Sequence, residues 1–321
     1  MTAAVALASR KANGMRAVDP RRDLVGLAML IEEAFAGSLD AQGREMTREM
    51  RRFGRLGWIG WLVGHLFLPP AAFPQGYVWT EDGAIIGNAS LLPVERAPQR
   101  WVLANVAVAP GHRRRGIART LVGASLDLAG EKRAEEVVLQ VKASNAGARV
   151  LYDRFGFVDR GTRTLWRKTR AAGSTGEIPA RRRRSAEWPE HWALVRRLRP
   201  HGLVWPHPLG AGMFRPGTWA SADPWGHWVW PNEGPMVAAA SGRIDASGVF
   251  RMFIVAAAEA RGRAEAPLVE AAMREPLRPG PIEVETDDEP GAAGLARLGF
   301  SPEHRLTWMG LKLPPRPERT P

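Results

Sequence analysis

The chain of 321 residues contains no cysteine, which excludes disulfides, thiolate metal sites and any covalent thioester to the protein. Lysine is scarce too, because only five of the 45 basic side chains are lysines. The net charge of +12 therefore comes from arginines scattered through both halves, which argues against a dedicated nucleic-acid-binding function. The absence of cysteine is compatible with a cytoplasmic protein.

Long apolar runs are also absent. The most hydrophobic window, 56–68, is 13 residues long and includes His65, whereas a membrane-spanning helix needs about 20 apolar residues. We expect a buried helix or a pocket wall there, no transmembrane segment, and no signal-like region at the start. The seven histidines show no close pair at metal-ligand spacing, so we expect no metal site.

The stretch 106–118, VAVAPGHRRRGIA, predicts a strand that ends in a basic turn and leads into a helix. The first amides of a helix have no partner within the helix, and the helix dipole favours an anion at that end. Gly116 lets the backbone approach an anion closely because it has no side chain. The pattern predicts a diphosphate site, with a solvated basic turn as the alternative interpretation.

A second motif lies one helix and one strand downstream, where residues 145–157 read NAGARVLYDRFGF. Together the two motifs resemble the GNAT superfamily of N-acetyltransferases, whose signature Arg/Gln-x-x-Gly-x-Gly/Ala stands here as residues 113–118. The family's later motif is an asparagine, a small-residue helix, Leu-Tyr and an aromatic-Gly-Phe. It matches Asn145, Leu151, Tyr152 and residues 155–157.

This resemblance implies acetyl-CoA as the acyl donor and a small-molecule amine as the acceptor. It implies that the end of the strand binds the pantetheine arm and stabilises a developing oxyanion, while the loop binds the pyrophosphate. Asn145 would contact the arm, with a plain helix N-cap as an equal alternative, and Tyr152 would be the catalytic proton donor to the departing thiolate. The implied cofactor-binding residues are Val106, Ala107, Val108, Arg113, Arg114, Arg115, Gly116, Ile117, Ala118, Arg119, Thr120 and Asn145.

The sequence assigns no general base. Many relatives use a carboxylate on the strand before the loop, but residues 101–109 contain none, and Asn105 cannot act as a base. An acceptor that arrives unprotonated and a base from the second half of the chain are both open alternatives. The remaining candidates are carboxylates more typical of surface charges, namely Glu33, Asp40, Glu81 and Glu95.

Aromatic clusters in both halves predict either an apolar acceptor wall or ordinary structural packing, which is the safer interpretation. They comprise Trp58, Trp61, Phe67, Phe73, Trp219, Trp225, Trp228 and Trp230.

Length and composition predict two domains, each able to build its own core. Hydrophobic periodicity and breakers predict an acetyltransferase order of elements in 1–170, a small-residue linker at 171–176 and a second domain at 177–321. The expected fold class is α/β with a mixed α+β sheet, in two tandem GNAT-like domains, each a mostly antiparallel sheet flanked by helices. Two such domains resemble a dimer fused in one chain, which favours a monomer.

The second domain is predicted to be an eroded repeat of the first. Residues 259–264 are matched to 113–118, which puts Glu259 in the place of Arg113, and Leu295 stands in the place of Tyr152. Pro267 and Pro276 are expected to interrupt the helix that follows. We therefore expect the second domain to bind cofactor poorly.

Three functions are consistent with these features. The first is an acyl-CoA-dependent N-acyltransferase acting on a small amine. The second, motivated by the missing carboxylate and the eroded half, is a non-catalytic acyl-CoA-binding or regulatory protein. The third, motivated by the charge, is an acetyltransferase for protein or RNA amines.

Overall fold

The computed structural model describes residues 13–37, 39, 41–56, 75–94, 97–169, 179–199, 211–216, 225–245, 248–274, 280–287 and 291–314. The hydrophobic window beyond Leu56, the aromatic residues predicted at 58–73, Trp219, Asp40, Glu95 and Pro276 lie outside these residues. The chain divides into two compact units. The first comprises Met1–Leu139, Arg154–Gly156 and Gly310–Pro321, and the second comprises Gln140–Asp153 and Phe157–Met309.

The first unit contains an antiparallel sheet that continues into one parallel pair. Strands β1 (Gly14–Ala17), β2 (Gln75–Glu81), β3 (Ala84–Val94) and β4 (Ala97–Val108) pair in sequence order. Strand β4 then pairs in parallel with the start of β5 (Glu136–Lys142). The helices of this unit are α1 (Pro20–Ala34), α2 (Ala41–Arg55) and α3 (Ile117–Glu131).

Helix α1 begins where the sequence supplies a cap and an acidic first turn. The Asp19 side chain accepts a hydrogen bond from the Arg21 amide, and Pro20 occupies the first helical position, where its missing N–H costs nothing. Asp23 is buried and accepts from Arg16 at 2.6 and 2.7 Å. The negative charge at the helix start is thus paired and also favoured by the helix dipole.

Helix α3 approaches the sheet closely because β3 carries a glycine at the crossing point. A Cβ atom on Gly87 would lie 2.8 Å from Ile117 Cγ2 and 3.1 Å from Leu121 Cδ1. Both of these apolar side chains are buried. The small residue therefore fixes the position of the helix whose first turn carries the predicted phosphate loop.

The second unit contains the remaining strands. Its order is β12 (Ser301–Lys312), β6 (Val158–Lys168), β11 (Ile282–Asp287), β10 (Phe250–Ala256), β9 (Ala238–Ile244), β8 (Gly226–Trp230) and β7 (Arg181–Arg182). Strands β10 and β11 are parallel, and β6 is antiparallel to β11. The helices are α4 (Ala146–Asp153), α5 (Trp188–Leu198), α6 (Glu265–Met273) and α7 (Ala292–Arg297).

Trp228 and Trp230 belong to the core of the second unit or pack against it. One apolar cluster joins Trp166, Trp228, Leu268 and Phe300, and Trp230 packs against it. A second cluster contains Phe214 and Phe253, with Trp225 against it. These tryptophans therefore follow the structural-packing interpretation.

The mixed α/β class with a large sheet flanked by helices is confirmed. The compact units, however, do not follow the predicted boundary near residue 170, because β6 belongs to the second unit and residues 310–321 belong to the first. The division into domains at 1–170, 171–176 and 177–321 stays a prediction. Within the described part of the chain, no helix is long and apolar enough to cross a bilayer.

Candidate functional site

Strands β4 and β5 separate soon after they meet. Their parallel pairs are Arg100 with Glu136, Trp101 with Val137 and Val102 with Val138. Beyond Val102, the described part of β4 is paired with β3 as far as Val108 and has no further pair with β5. The predicted pantetheine-binding residues, Val106 to Val108, thus lie on a strand whose second edge is left open.

A β-bulge marks the open part of β4. Asn88 pairs with Ala107 and Ser90 with Ala104, so two residues of β4 stand opposite one residue of β3. Asn105 is one of the two and has a φ of 51°, a left-handed conformation that asparagine tolerates better than most residues. A bulge bends and twists its strand, which re-aims the residues that follow it.

The loop after β4 exposes a run of backbone N–H groups. A 3₁₀ turn at Pro110–His112 follows the strand, Arg114 and Gly116 have φ values of 61° and 81°, and α3 begins at Ile117. Among the described residues, none accepts a hydrogen bond from the backbone amides of 114–119. Alternating left-handed residues and a free helix start create a concave set of donors suited to an anion.

The arginines of this loop divide into two pairs. Arg113 donates to the carbonyl oxygens of Val108 at 3.3 Å and Ala34 at 3.2 Å, which ties the loop to β4 and to the end of α1. Arg115 contacts the Glu81 carboxylate at 3.1 and 3.2 Å. Arg114 and Arg119 are exposed and have no partner within the described residues. Of the four, these two are free to meet a phosphate.

The other four residues predicted in this loop and first helical turn have local features. The Thr120 hydroxyl lies 3.4 Å from the Gly116 carbonyl oxygen, to which it donates. A Cβ atom on Gly116 would meet nothing within 4 Å, so the space in front of this residue is open. Ile117, the first residue of α3, is buried, and its amide, like that of Ala118, belongs to the free run.

In the second unit, Asn145 is the N-cap of α4. Its side-chain Oδ1 accepts from the Ala148 amide at 3.1 Å, and its carbonyl accepts from the Arg149 amide at 3.0 Å. This is the geometry of the plain capping alternative, and it leaves the Asn145 amide nitrogen exposed for another partner.

Tyr152 lies near the end of α4 and is buried. Its ring packs edge-on against Phe157 with 5.8 Å between centroids, and its hydroxyl makes no hydrogen bond with the described residues. Burial raises the pKa of Tyr152 to about 12. The phenol is therefore protonated at neutral pH and keeps a donor that no group among the described residues uses.

The carboxylates considered as bases are poorly suited to that role. Arg115 and then His112, whose Nε2 is 3.0 Å from Glu81, lower the pKa of Glu81 and hold it ionised in an exposed ion pair. Glu33 lies exposed on α1, and the other two candidates are outside the described residues. Within the described residues, no group of three or more candidate ligand side chains could hold a metal.

The counterpart loop in the second unit corrects the predicted alignment by two residues. In both halves the helix begins nine residues after the strand ends, at Ile117 after Val108 and at Glu265 after Ala256. Arg261 Nε donates to the Ala256 carbonyl at 3.3 Å, just as Arg113 Nε donates to that of Val108. Arg261, not Glu259, is therefore the counterpart of Arg113, and the exposed Glu259 matches Gly111.

This second loop offers fewer free donors, because Pro267 has no N–H and two of the equivalent amides are satisfied within the protein. The amides of Arg263 and Ala264 both donate to the carbonyl of Ala260, at 3.1 and 3.0 Å. The buried carboxylate of Glu265 occupies the first turn of α6, where it opposes a second anion. The expected interruption at Pro267 is wrong, because this proline lies in the first helical turn, where it is tolerated.

Arg199 closes the gap between β10 and β11. Their pairing extends to Phe253 and Glu285, and the fully buried Arg199 then donates to the Glu285 carboxylate and to the Ile254 carbonyl, both at 2.8 Å. Ile254 lies two residues before the strand end, as Val106 does in β4. The Arg199 side chain thus already hydrogen-bonds the Ile254 carbonyl, which is the group that would otherwise face a pantetheine arm.

Comparisons with known proteins agree with this geometry. Residues 40–157 match the family model of the acetyltransferase (GNAT) family. The chain is 38% identical over 76 residues to streptothricin acetyltransferase of Streptomyces lavendulae, and it spans about 40% of the length of that relative.

Solved structures share the fold over nearly the whole chain. A GCN5-related N-acetyltransferase from Sphaerobacter thermophilus has a TM-score of 0.59 at 17% identity, covering 93% of this chain and 95% of that one. A tandem GNAT protein from the clavulanic acid biosynthesis pathway, solved without AcCoA, has a TM-score of 0.51 at 17% identity. The match covers 95% of this chain and 100% of that protein's chain. Residues 40–157 therefore match a GNAT acetyltransferase domain, and the two solved structures share the fold of the chain.

Proposed function

We propose that this chain is an acyl-CoA-dependent N-acyltransferase that transfers an acetyl group from acetyl-CoA to a small-molecule amine. The observation that carries the proposal is the run of free amides at 114–119, placed after a bulged strand with an open edge. A diphosphate needs such preorganised donors, and the described loop satisfies none of them internally. The residues of the first half therefore fit the cosubstrate, whereas those of the second half do not.

In this proposal, acetyl-CoA supplies the activated acetyl group when it is bound. The amides of 114–119 and the side chains of Arg114 and Arg119 bind its phosphates, and the Thr120 hydroxyl turns from the Gly116 carbonyl to donate to a phosphate oxygen. The open edge of Val106 to Val108 holds the pantetheine arm and polarises the thioester carbonyl. Tyr152 supplies the proton to the leaving sulfur, and the amide nitrogen of Asn145 donates to the arm.

Calorimetry with acetyl-CoA tests the proposal. We expect one site per chain in the wild type and at least about tenfold weaker binding in Gly116→Trp, because the indole enters the open space before the amides and strains a left-handed residue. Gly111→Ala is the matched control, since it lies in the same loop, faces open space and has no positive φ. Two sites would contradict the reading of the second half, and no site would overturn the cosubstrate.

Release of free CoA with a panel of amines then separates the candidate functions. Streptothricin comes first because the relative with the matching segment is an acetyltransferase for it. Glycinamide, hydroxylamine and 2-phenylethylamine represent small polar, weakly basic and apolar amines. Turnover supports the enzyme, whereas binding without turnover of any amine would favour the non-catalytic alternative. A monomeric state stays a prediction that light scattering tests.

A further inference from the structure

A cavity of about 390 Å³ lies in the second unit at the end of β5. Its walls are residues 142–144 on one side and residues 303–305 of β12 on the other. The Ala143 amide donates to the Arg305 carbonyl at 2.9 Å, which fixes the two segments together. Since Ser144 directly precedes the N-cap Asn145, the cavity adjoins the helix that carries Tyr152.

Two side chains of β12 bring proton-accepting groups into this cavity. His304 lines it, and within the described residues neither ring nitrogen of this histidine has a hydrogen-bond partner. Glu303 also lines it, and its Oε2 is buried with no hydrogen-bond partner. The other carboxylate oxygen, Oε1, lies 3.4 Å from Arg167 Nη1, which anchors the side chain. A buried oxygen without a donor is costly and marks a place where a ligand N–H is missing.

We propose that this cavity receives the acceptor amine and that His304 is its general base. Glu303 Oε2 accepts one N–H of the ammonium group and orients it, while a ring nitrogen of His304 removes a second proton. The freed lone pair forms the N–C bond with the acetyl carbon, and the C–S bond breaks as the sulfur receives a proton from Tyr152. The new amide nitrogen loses its second proton to solvent. Solvent also takes the proton from His304 and returns one to Tyr152, so that the nitrogen loses two protons, the sulfur gains one and one is released.

This inference rests on the proposed function and supplies the base that β4 lacks. An imidazole suits the task because its ordinary titration range lies nearest to neutral pH. The charged groups that face it are Lys142 from β5, Glu303 and Arg305 from its own strand, and Arg167 from β6 through Glu303. All of these residues belong to the second unit, as Tyr152 does.

The kinetic test compares two amines in His304→Gln. Glycinamide needs a base near neutral pH, whereas hydroxylamine is already unprotonated. We expect kcat/KM for glycinamide to fall by about 10²–10³ and the acidic limb of its pH profile to disappear, with hydroxylamine changed by less than about threefold. Equal loss for both amines, or an unchanged profile, would overturn the inference. His112→Gln is the matched control, since this half-buried histidine lies in the first unit and does not line the cavity, so it should leave the profile unaltered.

Two binding measurements separate failure of this inference from failure of the proposed function. Acetyl-CoA calorimetry should give the same affinity for His304→Gln as for the wild type. In NMR spectra of the wild type, glycinamide should move the His304 ring resonances, and Glu303→Gln should weaken that response at least about fivefold. If the resonances do not move, the cavity is not the amine site, whatever the turnover. If they move but acetyl-CoA never binds, the proposed function fails and the amine site stands.

Discussion

The buried side chain of Asn88 donates from Nδ2 to the backbone carbonyl of Asn105 at 2.8 Å. The same nitrogen contacts the Ser90 hydroxyl at 3.0 Å. One asparagine of β3 thus holds the bulge of β4 at its first residue, Asn105, which is itself in a left-handed conformation. This contact sets the direction of Val106 to Val108, on which the cosubstrate proposal depends.

Replacing Asn88 should therefore weaken cofactor binding from a distance. In Asn88→Asp the donor is lost and a carboxylate oxygen faces the Asn105 carbonyl, so we expect about 1–3 kcal/mol lower stability and at least about tenfold weaker acetyl-CoA binding. Calorimetry and urea unfolding measure the two effects. Ser90→Ala is the control, because it removes a neighbouring hydroxyl but leaves the bulge contact; an equal loss of affinity there would contradict the role of Asn88.

Tyr152→Phe should separate chemistry from binding. The ring keeps its packing against Phe157, while the proton that the raised pKa of about 12 keeps on the phenol is lost. We expect kcat to fall by about 10²-fold or more with the acetyl-CoA affinity unchanged. Steady-state kinetics and calorimetry measure this, and unchanged turnover would exclude Tyr152 as the proton donor.

Arg199→Met should destabilise the second unit without creating a cofactor site. Burial lowers the pKa of Arg199 to about 10, but Glu285 still pairs with it, and removing one member of a buried pair costs about 3–5 kcal/mol. Urea unfolding should show this loss, and Arg199→Met with Glu285→Gln should recover part of it. Acetyl-CoA binding should stay at one site per chain, because α6 still begins with Glu265. A second site would contradict the role of Glu265 in opposing an anion there.

Acid should destabilise the second unit through its buried histidines. Burial, followed by the charge of Arg183, lowers the pKa of His227 to about 3, and burial lowers that of His191 well below the usual range. The unfolded chain therefore binds protons that the folded chain does not, so stability falls as pH drops below about 6.5 towards 3. The melting temperature measured between pH 7 and 4 should fall less steeply in His227→Gln. His112→Gln, a change in the first unit, should retain the wild-type slope, and an unchanged slope in both variants would contradict the assignment.

Much of the local structure followed from the sequence. The order of elements predicted for 1–170 is observed from β1 to β6, and the helical spacing of apolar residues in 188–198 agrees with α5. The turn chemistry was local as well, because Pro110 ends β4 and Gly116 opens α3 in a left-handed conformation. Residues next to each other in the chain decide such features, so one sequence suffices.

Alignment of the two halves went wrong for a physical reason. Both loops have a left-handed residue six positions after the strand, but this is Arg114 in the first half and Gly262 in the second. Matching glycine to glycine paired Gly262 with Gly116, two residues too late. Only the dihedral angles and the equivalent contacts of Arg113 and Arg261 show the correct register.

The sequence by itself determined the elements, the order of the two motifs and the loop that presents free amides, since these depend on neighbours along the chain. The tertiary structure decided which charges meet. It directed Arg113 and Arg115 to protein groups and left Arg114 and Arg119 without a partner among the described residues. It placed Arg199 between β10 and β11. It also brought Glu303 and His304 beside Ser144. These relationships join residues from about 35 to 160 positions apart, and no local propensity specifies such contacts.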